Sequence, residues 1–313
     1  MYLNYYGLRT EPFHITPDPY FFYLSPSHKE AFASMFYGIK YRKGFVAVTG
    51  EVGLGKTTAL KSFLERYISR ESVKTVFVYN PNISFSELIK IIHYELGEEL
   101  PGKIKENTGL SKSDKIFEMV QNLHSLLINY YKKGLNVVLI IDEAQNMPIS
   151  TLENLRMLSN LETSQNKLIQ ILLIGQPELE NKLKMDRLRQ LRQRLAVRAT
   201  LKPLSKKETY SYIKYRLQKA GAANNKTIFS KRAYRAIYKY SSGAPRTINI
   251  LCNNALLTGF GYEKNKIGAG IIKEVNADLS GKKYHNYLKW ILLALIPALA
   301  VLGWFLFASN MMV

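Results

Sequence analysis

Residues Gly50-Glu51-Val52-Gly53-Leu54-Gly55-Lys56-Thr57 match G-x-x-x-x-G-K-T, and few short patterns constrain a fold so tightly. Phe45 to Thr49 runs straight into the pattern and reads as a short buried strand. Thr58 to Ser69 follows and reads as a helix. In a strand–loop–helix setting the pattern predicts a phosphate-binding loop. Glycines let backbone N–H groups point at phosphate oxygens with no Cβ in the way. The helix N-terminus adds partial positive charge. The expected nucleotide-binding residues are therefore Gly50, Glu51, Val52, Gly53, Leu54, Gly55, Lys56, Thr57 and Thr58. Lys56 is expected to reach the β- and γ-phosphates, and the Thr57 hydroxyl to take one Mg²⁺ position. ATP and Mg²⁺ are the cofactors this pattern calls for.

A second motif lies about ninety residues on. Asn136 to Ile141 is an apolar run rich in β-branched residues, as a central parallel strand buried on both faces requires. It ends in Asp142-Glu143, which places two carboxylates at the sheet edge where α/β folds bind ligands. Asp142 is expected to hold Mg²⁺ through water. Glu143 is expected to orient and polarise the attacking water, since phosphoryl transfer rests on positioning and charge stabilisation.

Around these motifs the chain alternates strand and helix. Strands are expected near Phe45–Thr49, Lys74–Tyr79, Val137–Ile141, Leu168–Ile174 and Ala196–Leu201. Helices are expected to Ile68 and over Ser84–Leu96, Ser113–Tyr131 and Ile149–Leu161, with a polar loop over Gly97–Gly109. Such alternation predicts an α/β P-loop NTPase: a parallel sheet in a three-layer core with helices on both faces. An extra strand between the phosphate loop and the Asp142 strand suits the additional-strand branch of that fold. After Pro203 the pattern is wholly helical: Ser205–Ala220, Ser230–Tyr240, Pro245–Tyr262 and a weaker stretch near Gly270–Ala277. The domain reading is a lead-in over 1–42, a P-loop core over 43–202, an α-helical lid over 203–277 and a linker over 278–289. The lead-in is aromatic and proline-punctuated. A helix is expected from Ser27, with Glu30 three residues on as its capping box.

Trp290 to Ala308 is a nineteen-residue stretch without a charge, and eleven of its residues are Leu, Ile, Val or Phe. As a helix it spans about 28 Å, close to the roughly 30 Å of bilayer hydrocarbon. Both tryptophans of the chain lie near its ends, where interfacial aromatics belong. A C-terminal transmembrane helix is expected over 290–308. Lys282, Lys283 and Lys289 precede it and no charged residue follows, so the positive-inside rule puts the large domain in the cytoplasm, on a single-pass inner-membrane protein.

Net charge is +20, and it is concentrated: Lys182 to Arg246 holds nineteen Lys/Arg against two acids, Asp186 and Glu208. Negative partners follow from this: nucleotide phosphates, anionic lipid or DNA. The single cysteine, Cys252, excludes an intramolecular disulfide and reads as a small buried residue in a helix. The five histidines show no metal spacing, so no zinc site is expected.

Taken together, the motifs resemble the AAA+ ATPases of the general secretion pathway protein A family, often called ExeA-like. The lead-in Tyr6-Gly7-Leu8, Pro12-Phe13, Thr16-Pro17-Asp18-Pro19 and Leu24-Ser25-Pro26-Ser27-His28 is similar to that family's opening. So are Ile141-Asp142-Glu143-Ala144-Gln145, Ile174-Gly175-Gln176-Pro177-Glu178-Leu179, Gln193-Arg194-Leu195 and Ser242-Gly243-Ala244-Pro245-Arg246. The resemblance implies that Gln176 is a sensor-1 residue and that Arg246 is a sensor-2 residue. It also implies that Arg194 is an arginine finger acting on a neighbour's nucleotide, with Arg189, Arg192 and Arg198 as rivals. A finger in trans implies a homo-oligomer. The family supports assembly of envelope machinery such as type II secretion channels or type IV pili. That implies an inner-membrane partner protein. Members often carry a peptidoglycan-binding domain beyond the membrane helix. Here Ser309 to Val313 follow it, so cell-wall contact is expected from another protein. The alternative is a DNA-binding AAA+ regulator resembling transposition ATPases, and a third reading is a slowly hydrolysing nucleotide-regulated scaffold.

Overall fold

The computed structural model describes residues 1–68, 72–97, 111–223 and 227–281. Five strands form one wholly parallel sheet: β1 (Phe45–Thr49), β2 (Val73–Val78), β3 (Asn136–Ile141), β4 (Ile169–Gly175) and β5 (Leu195–Thr200). Their order across the sheet is β2-β3-β4-β1-β5. β2 precedes the Asp142 strand in the chain but lies at the sheet edge; the strand that separates β1 from β3 in space is β4.

The period-two alternation of strand side chains builds two cores. Val138 and Ile140 of β3 join Val46, Val48, Leu172 and Ile174 on one face, under α2 (Pro26–Lys40) and α3 (Lys56–Tyr67). Val137, Leu139 and Ile141 join Ala47, Ile171 and Leu173 on the other. There they meet α4 (Phe85–Glu95), α5 (Lys112–Lys132) and α6 (Ile149–Ser159). Every residue of β3 and β4 is buried, and each large apolar side chain there gains about 1.5–3 kcal/mol from leaving water. Two polar residues in these strands are satisfied. Asn136 Nδ2 donates to Ile39 O at 2.8 Å, and Gln170 Oε1 accepts from Gly44 N at 2.8 Å, tying the end of α2 to the sheet.

Local signals place most helix starts. Ser84 and Ser205 form capping boxes with Glu87 and Glu208. The expected box at Ser27 and Glu30 does not form. Ser25 caps α2 instead, its Oγ accepting from His28 N, because Pro26 at the first helical position has the right φ and no N–H to lose. Three short α-helices were not expected: α1 (Tyr2–Tyr6), α7 (Pro177–Leu183) and α8 (Arg189–Arg194). They are too short for a hydrophobic period to show.

The lid comprises α9 (Lys206–Lys219), α10 (Lys231–Ser241), α11 (Pro245–Gly261) and α12 (Ala269–Leu279) around its own core. Cys252 is buried there, as its sequence setting suggests. The stretch near Gly270 is a full helix whose last two residues fall in the expected linker. The lead-in is not an appendage of the P-loop core alone. Its helix α1 (Tyr2–Tyr6) and Leu8, Phe13 and Phe21 belong to the lid core, whereas Phe22 joins the sheet core. The segment is thus a strap across both. Among the described residues no helix is long and apolar enough to cross a membrane. Most of the 97–109 loop, the linker beyond Gly281 and the apolar stretch 290–308 lie outside the described residues.

Candidate nucleotide-binding site

β1 ends at Thr49, and the loop that follows is shaped by two left-handed glycines, Gly53 (φ +80°) and Gly55 (φ +87°). α3 starts directly at Lys56. The Lys56 side chain is nearly buried and its Nζ donates to the carbonyls of Gly50 (2.8 Å) and Glu51 (3.1 Å). Burial pushes this ammonium down from its ordinary value, and the carboxylates of Glu143, Asp142, Glu51 and Glu178 oppose that shift. Thr57 Oγ1 donates to Asp142 Oδ2 at 2.7 Å, so the two residues expected to hold Mg²⁺ are in contact.

Glu143 follows β3 in a left-handed conformation (φ +51°), its N–H donating to Asp142 Oδ1 at 2.9 Å. Two amides grip one of its carboxylate oxygens: Gln145 Nε2 at 2.5 Å and Gln176 Nε2 at 3.0 Å donate to Oε2. Gln145 Oε1 in turn accepts the Gln176 N–H at 3.0 Å. Burial pushes the Glu143 carboxyl up, but the two amides and the Lys56 charge together hold it below its usual range. It is therefore ionised at neutral pH. Gln176 thus stands beside Glu143, while Gln145 is a contributor the sequence reading missed. Its signal was its place two residues past Glu143, in the short turn Ala144–Asn146.

A cavity of about 440 Å³ opens over the loop. Its floor is Val52 to Thr58 and Glu143, and Arg246 reaches it from the lid. Arg246 opens α11, and its N–H donates to Gly53 O at 3.1 Å, stapling the lid to the loop. The strap supplies another wall with His14–Asp18, Phe21–Tyr23 and His28. A buried polar chain locks strap to lid: Arg216 Nε donates to Pro12 O (2.5 Å), Arg216 Nη1 to Tyr212 Oη (2.8 Å), Tyr212 Oη to Asn249 Oδ1 (2.7 Å) and Asn249 Nδ2 to His14 O (3.3 Å). Nothing local in the sequence marks these partners.

The residues present fit a nucleoside triphosphate with Mg²⁺. The loop offers a glycine-shaped backbone and one lysine, and Thr57 with Asp142 offers two oxygens to a cation whose other ligands are phosphates and water. Among the described residues no group of three His, Cys, Asp or Glu could hold a metal ion by itself.

Arg189, Arg192, Arg194 and Arg198 stand apart from this cavity's lining. Arg194 caps the C-terminal end of α6, donating to Arg156 O (3.0 Å), Asn160 Oδ1 (2.5 Å) and Ser159 Oγ. Arg192 donates to Lys184 O (3.0 Å) and Arg198 to Arg192 O (3.1 Å). Arg189 is exposed, and its guanidinium forms no hydrogen bond or ion pair among the described residues.

With this geometry in place, comparison with known proteins gives a family. Residues 39–183 match the model of the AAA domain. General secretion pathway protein A of Aeromonas hydrophila is 37% identical over 306 residues, 97% of this chain. This is an AAA+ protein related to general secretion pathway protein A. The chain spans about half, 53%, of that relative's length. Solved structures agree on the fold. The Aeropyrum pernix ORC2 protein superimposes with a TM-score of 0.56 at 16% identity, covering 84% of this chain and 72% of that one. Cdc6p from Pyrobaculum aerophilum gives 0.57 at 18%, covering 80% and 68%. At these identities the likeness is one of architecture: an AAA core with a helical lid.

Proposed function

We propose that this AAA+ protein binds and hydrolyses ATP, with Mg²⁺, to support assembly of an envelope complex of the type II secretion or type IV pilus kind. The observation that carries the catalytic part is that Lys56, Thr57 and Glu143 line one cavity while Asp142 is hydrogen-bonded to Thr57 and Gln176 to Glu143. Thr57 and Asp142 would hold the metal, which when bound neutralises phosphate charge and polarises the transferred phosphoryl group. Lys56 supplies a fixed positive charge to the phosphates. Glu143, ionised and held by Gln145 and Gln176, orients the attacking water. Arg246 lines the cavity from the lid side, which supports its reading as sensor 2.

The relative's name supports the secretion context, and the apolar stretch 290–308 supports a single-pass anchor in the cytoplasmic membrane with the ATPase on the cytoplasmic side. An inner-membrane partner of the secretion or pilus system and anionic lipid are the corresponding partners. DNA is the weaker reading of the basic stretch 182–246. Lys182, Arg192, Arg194, Arg198 and Arg216 each donate to acceptors within the subunit, which leaves fewer cations for phosphates. The test is direct. Full-length protein in inner membranes should resist alkaline extraction, and a chain ending at residue 281 should be released yet bind ATP. Release of the full chain would remove the anchor from the reading.

We also propose a homo-oligomer in which an arginine of the 189–198 stretch reaches a neighbour's nucleotide. Arg194 would have to leave its three acceptors to do so, whereas Arg189 is free. Arg194→Ala and Arg189→Ala should be compared. The variant that loses the trans arginine should lose at least about tenfold in turnover at nearly unchanged ATP affinity. Mixed with Glu143→Gln subunits, it should regain part of its activity. Full turnover by both variants would eliminate the trans arginine from this stretch.

A further inference from the structure

His28 is buried, and both its ring nitrogens are engaged: Nε2 lies 3.3 Å from Leu54 O and Nδ1 lies 2.7 Å from Ser25 Oγ. A carbonyl oxygen can only accept, so Nε2 carries the proton and Nδ1 accepts from the Ser25 hydroxyl. That same hydroxyl oxygen accepts the His28 N–H as the cap of α2. The ring is wedged edge-on against Phe22, centroids 4.9 Å apart, and Phe22 stacks on Phe32. Burial pushes the imidazole down to about 4, which keeps it neutral.

The residue it grips sits between the two left-handed glycines of the loop, Gly53 and Gly55. Glycines on either side make the intervening peptide planes cheap to reorient. In a trans peptide the C=O and N–H point in opposite directions. Fixing Leu54 O therefore fixes the direction of the Gly55 N–H, one of the loop's few donors. We propose that His28 is a positioning residue of the phosphate loop: through the Nε2–H to Leu54 O hydrogen bond, the strap helix holds the Leu54–Gly55 peptide in the orientation that binds the nucleoside triphosphate. The proposal rests on the reading of this loop as a triphosphate site. It adds that the loop is shaped from outside itself, by a side chain twenty-six residues upstream.

The test uses full-length protein and a fluorescent ATP analogue, with wild type, His28→Phe and His28→Gln side by side. Phe keeps the ring and its contact with Phe22 but has no donor. Gln keeps an N–H at about the same reach. His28→Phe should weaken analogue binding about tenfold or more, as expected for a buried carbonyl left unpaired. His28→Gln should stay within about threefold of wild type. The thermal midpoints without nucleotide separate positioning from folding: a purely structural role would lower both variants and give no rescue by Gln. Wild-type affinity in His28→Phe, or equal loss in both variants, overturns the proposal. Absence of binding by wild type itself removes the triphosphate reading and the proposal with it. Should His28→Phe not fold, the nitrogen chemical shifts of the His28 ring in wild type decide. The Nε2–H tautomer is expected, and the Nδ1–H tautomer overturns the assignment.

Discussion

Glu143→Gln is expected to lower ATP turnover by at least about a hundredfold while leaving ATP affinity within about threefold. The carboxylate is the group lost, and it contacts neither Lys56 nor the loop backbone through a hydrogen bond, so the binding surface stays intact. The structure sharpens the expectation. Glu143 Oε2 accepts from two amides at once, so an amide at residue 143 must present its own oxygen there to keep both bonds. The side chain can then remain in place and still be unable to polarise water. Phosphate release measured beside equilibrium ATP binding checks this. Turnover near wild type removes Glu143 from the catalytic role. Loss of turnover together with loss of binding shows instead that the Gln145–Gln176 clamp has come apart.

The second large effect concerns the hinge of the lid. Gly243 has φ +80°, and a Cβ built there meets Leu204 O at 1.9 Å and Leu204 C at 2.9 Å. Those are main-chain atoms, so no rotamer change relieves the clash. The two residues are also hydrogen-bonded, Leu204 N donating to Gly243 O at 2.9 Å. Gly243→Ala adds the left-handed penalty of about 1–2 kcal/mol to the cost of parting that bond. It also displaces Arg246, three residues on, from Gly53 O. A loss of about 3 kcal/mol or more in lid stability is expected, with weakened ATP binding. Gly270→Ala is the control. It lies inside α12 with open space around it, so Ala there should be neutral or stabilising by about 0.5–1 kcal/mol. Chemical denaturation of both variants decides. Equal stability of the two would show that the hinge tolerates a side chain.

Much of the site was legible because its signals are local. The phosphate loop needs glycine, lysine and threonine at fixed spacing, and Asp142-Glu143 needs only a buried strand before it. Strand limits fell within a residue of expectation: Lys74–Tyr79 against Val73–Val78, and Ala196–Leu201 against Leu195–Thr200. The misses have a common cause. At the start of α2 two local signals competed, and Pro26 with Ser25 prevailed over Ser27 with Glu30. Helices α7 and α8 are one to two turns long and anchored through Leu179, Leu183 and Leu191 in the core rather than by their own periodicity.

The sequence by itself determined the parallel α/β core, the phosphate loop and the two carboxylates, since strand burial, glycine conformations and residue spacing act over a few neighbours. It also determined where the basic residues fall along the chain. Only the tertiary structure decided what each of those side chains meets. It turned Arg194 onto the end of α6, buried Arg216 against Pro12, set Gln145 on Glu143 and brought His28 to Leu54. Those pairings join residues from two to more than two hundred positions apart, and which donor finds which acceptor depends on how the strap, sheet and lid close on one another.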